Sequence, residues 1–184
     1  MYRISNDTRI LASAAKITTG LDACLENHSI SEISISLLCK QSDTGRTTFY
    51  RIFDTVSDVL QYYCDNAIKS TCEKLALSDK KTLRDSALNS FGALMKHPRI
   101  LDAIMMSGRA DIIFNSYLDY ETDLKKRAST IVPEDQVQLD YLIHMANAML
   151  TAALQVWHYH GKKDSCEDIY RHIKNEAKLI TEIL

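Results

Sequence analysis

Very little in this chain can stop a helix. Its 184 residues include only five Gly and two Pro, and apolar residues recur at three- and four-residue steps from one end to the other. Ile10, Leu11, Ala14, Ile17, Leu21, Cys24 and Leu25 set that step and predict a first helix over roughly residues 8–27. The fold class that follows is all-α, with three small helices and then a bundle of about six, roughly nine helices in total.

The few breaks divide the pattern. His28, Ser29, Ile30 and Ser31 end the first helix. A short second helix is expected from about Ile35 to Gln41 with Ser34 as its N-cap, then a polar turn through Ser42, Asp43, Thr44 and Gly45, then a third helix over about 45–52. Asp54 and Thr55 cap a helix of about 55–77, with Asp58 as capping-box partner. Its stripe runs through Val59, Leu60, Tyr63, Ala67, Ile68 and Leu75. Ser78 is the expected cap of a helix at about 79–96. His97 and Pro98 mark a boundary, since proline restricts the residue before it and suits a first helical turn. Helices of about 98–106 and 109–128 follow, then a loop at Thr130, Ile131, Val132 and Pro133. A long helix spans about 134–160, with Gly161 as its C-cap. Ser165 starts a last helix with the stripe Ile169, Ile173, Ala177, Ile180 and Leu184.

Residues 44–53 carry the chemistry. Phe49 and Phe53 lie four apart, share a side of the helix and anchor it in a core. Arg46, Thr47, Tyr50 and Arg51 point elsewhere, and all four are hydrogen-bond donors suited to phosphates and base edges. Such a helix, buried on one side and lined with donors on the other, is equipped to read DNA.

Other functions find less support. No apolar run approaches the ~20 residues a membrane span needs, and the first residues lack the apolar core of a signal peptide, so a cytoplasmic protein without membrane contact is expected. The five Cys (Cys24, Cys39, Cys64, Cys72 and Cys166) form no CxxC pair and read as small buried hydrophobes in a reducing compartment. Asp140 and His144 are four apart, but no second acidic-His pair stands at ligand spacing, and His158 and His160 fall on different sides of a helix; neither a metal nor a cofactor is expected. A helical enzyme would need a nucleophile–base pair, a phosphate loop or paired Glu-x-x-His motifs, and none is present. The net charge of −2 is unevenly spread: residues 1–53 carry six Lys/Arg against five Asp/Glu, the remainder sixteen against nineteen. That asymmetry has the sign expected of a basic reading head, but its size decides nothing.

A helix, a short helix, a tight turn and a third helix of about seven residues follow the order of a helix-turn-helix. Ile35, Ser36, Leu37, Leu38 and Cys39, then Arg46 to Phe53 with its Thr48-Phe49-Tyr50…Phe53 core, then Val59 and Leu60, resemble the TetR family of bacterial transcriptional regulators. The motif covers about residues 10–61; beyond it the helix plan and the length agree. The resemblance implies a homodimer, with a helix-turn-helix DNA-binding domain over residues 1–54 and a ligand-binding and dimerisation domain over 55–184. It assigns reading of a double-stranded palindromic operator to Arg46, Thr47, Thr48, Tyr50 and Arg51, with Lys40 beside them, and helix packing to Leu38, Phe49 and Phe53. The function it implies is that of a repressor released by a small apolar effector. Family members commonly have Gly, an aliphatic residue and Ser where this chain has Asp43, Thr44 and Gly45, and a phosphate-contacting Lys where it has Val56. DNA binding is then either weaker or supported by Arg3, Arg9 and Lys40, and an interaction protein that has lost DNA binding is the alternative.

Two further sites are expected in the bundle. Flexible Met and amphipathic Tyr suit an adaptable apolar cavity, for which Tyr63, Phe91, Met95, Met105, Phe114, Tyr117, Met145 and Met149 are the candidates. The 134–160 helix carries more apolar surface than one stripe requires, and its small residues allow close helix approach. With the last helix it offers a twofold dimer contact through Leu142, Ala146, Ala153, Trp157, Ile169, Ile173, Ala177 and Ile180.

Overall fold

The computed structural model describes residues 2–76, 82–118 and 135–183. Among these, every regular element is helical: α1 (Thr8–Cys24), α2 (Ile35–Gln41), α3 (Arg46–Ile52), α4 (Val56–Ala76), α5 (Leu83–Met95), α6 (Pro98–Met106), α7 (Asp111–Leu118), α8 (Gln136–Tyr159) and α9 (Cys166–Ile183), with one 3₁₀ turn at Ile30–Glu32. The all-α expectation holds. The expected cap Ser78, the later part of the 109–128 helix, the loop at Thr130–Pro133 and the side chains of Leu75 and Leu184 lie outside the described residues.

Local chemistry explains most helix ends. Asp7, Ser34, Thr82 and Asp135 cap α1, α2, α5 and α8 by accepting backbone N–H bonds. Thr55 and Asp58 form the expected box, with Asp58 N–H donating to Thr55 Oγ1 (3.2 Å) and Thr55 N–H to the Asp58 carboxylate (2.9 Å). Ser165 and Asp168 repeat it at α9. Pro98 occupies the first turn of α6, and Gly161 takes the left-handed conformation (φ 80°) just past α8. The 3₁₀ turn was not foreseen. Its signal was the Ser29…Glu32 pair, in which Ser29 N–H donates to the Glu32 carboxylate (2.8 Å).

The chain forms two compact units, Met1–Cys64 with His97–Ile112, and Asp65–Lys96 with Ile113–Leu184. In the first, Ala14, Ile17, Leu21, Leu38, Phe49, Ile52 and Phe53 make a buried core beneath the three N-terminal helices, while Leu11, also on the apolar step of α1, stays exposed. Arg99 at the start of α6 pairs with Asp22 (3.1 Å) and Glu26 (3.0 Å) of α1. Arg109 grips Asp111 and donates to Ser57 Oγ on α4 (2.9 Å). In the second unit the inward stripe of α8 is Leu139, Ile143, Asn147, Thr151 and Leu154, while Leu142 and Ala146 are exposed. No described helix is long and apolar enough to cross a membrane.

Candidate nucleic-acid interface

α3 has the two faces that its spacing predicts. Phe49, Ile52 and Phe53 are fully buried, and an aromatic cluster continues beyond them: Phe53 lies 5.8 Å from Phe49 and 5.6 Å from Tyr62, ring centre to ring centre. Arg46, Thr47, Tyr50 and Arg51 are exposed on the opposite side, with Thr48 half-buried between the two. Lys40, on α2, is exposed as well. Six residues named from sequence as DNA contacts are therefore carried on one helix-turn-helix, five of them on one short helix. Arg46 donates to Ser36 Oγ of α2. Both groups are exposed, so the bond ties the two helices lightly and exchanges readily for another acceptor.

Arg3 is engaged within the protein. Its backbone N–H donates to Ile52 O (2.8 Å), one guanidinium nitrogen to Tyr50 O (3.2 Å) and another to the Asp54 carboxylate (2.7 and 2.9 Å). These are the carbonyls left unpaired at the C-terminus of α3, so Arg3 satisfies that helix end and fixes its exit. Tyr2 seats beside it against Phe53 and Tyr62.

Asp43, not Gly45, holds the left-handed position (φ 48°), whereas Gly45 is extended (φ −73°) and caps α3 without a side-chain bond, in open space. A Gly would suit position 43 because of its backbone, and a Ser would suit position 45 because it could cap. Asp43→Gly should therefore raise stability by ~0.5–1 kcal/mol. It also removes an exposed acid beside α3, so if the chain binds DNA through α3, affinity should rise a fewfold with it. Urea titration and DNA titration of the one variant check both signs.

Gly20 of α1 is the residue that sequence reading missed. A Cβ placed there would sit 2.6 Å from Ser42 Cβ, 3.0 Å from its Cα and 3.1 Å from its N. Ser42 is itself buried and donates to Leu38 O (2.8 Å), with its hydroxyl 2.7 Å from Thr44 Oγ1. The turn thus rests directly on α1, and only a glycine allows that approach. Nothing in periodicity marks the position; an isolated Gly inside a helical pattern was the available signal.

Elsewhere the expected site residues are distributed between the units. Tyr63 and Met105 belong to the first, Tyr63 edge-on to His97 at 4.9 Å. Burial, with Asp22 nearby, pushes the Tyr63 phenol well above its ordinary value. Phe91 and Tyr117 are buried in the second unit; Phe114 is half-buried near His144, and Met95 meets Cys166 at 3.5 Å. Met145 stands exposed on α8, and Met149 lines a groove of about 540 Å³ between α8 and α9.

Of the expected dimer residues, Ala153, Trp157, Ile169, Ile173 and Ile180 line the same groove. Trp157 and Ile169 are buried at its floor, with Trp157 Nε1 donating to Asp164 O (2.9 Å), whereas Leu142, Ala146 and Ile180 are exposed and Ala153, Ile173 and Ala177 half-buried. Val156, Tyr159 and Ile183 add exposed apolar surface.

His144 Nδ1 lies 2.9 Å from the Asp140 backbone oxygen, and no group of three or more potential metal ligands occurs among the described residues. Cys24, Cys39 and Cys64 are buried, and burial raises the thiols of Cys24 and Cys39. Hydrogen bonding from Arg109 holds the Asp111 carboxyl below the usual range.

An all-α chain opening on a helix-turn-helix and continuing as a helical bundle defines a recognisable architecture. No family model matches the chain, and no curated protein sequence matches it. Solved structures do share its fold. Lin0861 from Listeria innocua agrees with a TM-score of 0.75 at 17% identity, covering 97% of this chain and 96% of that one. A TetR transcriptional regulator from Streptococcus agalactiae 2603V agrees at 0.61 with 16% identity, covering 91% and 94%. The chain has a TetR-like fold.

Proposed function

We propose that this chain is a DNA-binding, ligand-responsive transcriptional regulator that acts in the cytoplasm as a homodimer. The observation that carries the reading is α3 itself, with Phe49, Ile52 and Phe53 buried beneath it and Arg46, Thr47, Tyr50 and Arg51 exposed above. Two such helices in a dimer would enter successive major grooves ~34 Å apart and read a palindromic operator. Arg46 and Arg51 suit guanine edges or phosphates, and Tyr50, Thr47, Thr48 and Lys40 suit the backbone.

The exposed apolar surface of α8 and α9 supports the dimer, because self-association would bury it. An effector in the bundle would act through α4, the helix whose residues belong to both units, and lower operator affinity as a repressor is released. By linkage the effector must bind the released form better, typically by ~1–3 kcal/mol. Operator affinity that stays constant under saturating effector removes the release mechanism. The reading is of a regulator and not of an enzyme.

A second reading is favoured by Asp43, an exposed acid in the turn, and by Val56 at the start of α4 where a basic contact is common: a protein of this fold that works through a protein partner. Selection from random double-stranded DNA separates the two. An enriched palindrome supports the regulator; a pool without enrichment supports the partner.

A further inference from the structure

The buried stripe of α8 holds two polar residues at its centre, Asn147 and Thr151, flanked by Ile143 and Leu154. A bundle helix ordinarily places apolar side chains there. Asn147 is 1% exposed and Thr151 7%, and neither Asn147 Nδ2 nor Thr151 Oγ1 has a hydrogen-bond partner among the described residues. A helical Thr commonly satisfies itself on the carbonyl four residues back, as Thr18 does on Ala14 O (2.8 Å) and Thr71 on Ala67 O (3.0 Å). The Thr151 hydroxyl makes no such bond to the carbonyl of Asn147. Two adjacent buried groups with open hydrogen-bonding capacity cost stability unless something completes them.

The surroundings restrict what that something is. The unit's buried interior is mainly apolar, with Ile68, Phe91, Ile113 and Leu154 among its members; among the described residues its one buried charged side chain is the acid Asp65, and none is a Lys or Arg. A carboxylate would enter without a countercharge, which is unfavourable. A neutral molecule loses little.

We propose that Asn147 and Thr151 are the hydrogen-bonding anchor for a neutral, largely apolar effector that carries an acceptor oxygen, such as a ketone, ester or amide carbonyl. The oxygen accepts from Asn147 Nδ2, and Thr151 Oγ1, one helical turn on, is a second donor to it. This deepens the effector reading above and rests on it.

The test uses the full chain with 2-decanone as the neutral probe and decanoate as the charged one, titrated calorimetrically against wild type, Asn147→Leu and Thr151→Val. Wild type should bind 2-decanone at least tenfold more tightly than decanoate, and each variant should bind it about tenfold more weakly. Both variants should melt at the wild-type temperature or a few degrees above it, because an apolar replacement relieves an incomplete polar group. The anchor would be overturned by no binding of 2-decanone to wild type, by equal binding of it to wild type and either variant, or by tighter binding of decanoate. Variants that melt lower would do the same, since they would assign the pair to structure or to a buried water. None of these readouts involves DNA. If 2-decanone binds through the pair while operator affinity ignores it, the anchor stands and the release mechanism fails.

Discussion

Gly20→Val should cost the helix-turn-helix about 3 kcal/mol and lower operator affinity far beyond what its distance from α3 would suggest. Helix propensity taken alone predicts otherwise, because Gly inside a helix is the poorest residue but Pro, and Ala should gain ~1 kcal/mol over it. Packing decides the sign. The added Cβ would meet the Cβ, Cα and backbone N of Ser42, and backbone atoms have no rotamer to escape into. Either α1 or the turn must shift, and the turn sets the angle between α2 and α3. Gly20→Ala should show the same sign at smaller size, a net loss of ~1 kcal/mol after its propensity gain. Urea unfolding followed by circular dichroism measures both, and an Ala variant more stable than wild type would show that α1 and the turn are not in contact.

The second large effect concerns α8 and α9. Val156 and Ile180 are 58% and 52% exposed and line the groove between these helices. Replacing both by Glu adds charges to a surface already in water, so the folded subunit should be little affected. In a twofold dimer each charge appears twice and would be buried without a partner, costing several kcal/mol. The dimer dissociation constant should rise at least ~1,000-fold, and the mass in solution should halve at micromolar concentration. Operator binding should fall in step, because two unlinked heads lose the effective concentration that linkage provides. Analytical ultracentrifugation checks this, and an unchanged dimer mass would place the interface on another surface.

Much of the architecture was legible in the chain. Helix boundaries followed from caps whose geometry is local: Ser34, the Thr55–Asp58 pair, Pro98, Gly161 and Ser165 each satisfy or terminate a backbone run with their own side chain or conformation. The two-faced α3 was legible for the same reason, since Phe49 and Phe53 must share a side if the segment is helical. What escaped depends on contacts across the fold. That Arg3 would hold the end of α3 required the first residues to lie beside Ile52 and Asp54, which no spacing encodes. The left-handed residue in the turn was assigned to neither Asp43 nor Gly45 from sequence, because both are turn formers. In α8 the inward side is the stripe broken by Asn147 and Thr151. An apolar count could not find it, because the more apolar side faces outward.

If α3 reads DNA, the affinity of Arg46→Ala, Tyr50→Phe and Arg51→Ala for a selected operator should fall in each case. An arginine that reads a base should cost ~1–3 kcal/mol on removal and relax specificity at one position, whereas a phosphate contact should weaken all sequences alike and flatten the salt dependence by about one unit. The three changes combined should abolish specific binding with helical content intact, because all three side chains are exposed and the core beneath them is untouched. A triple variant that is folded and still binds the operator as wild type does would show that α3 does not read DNA.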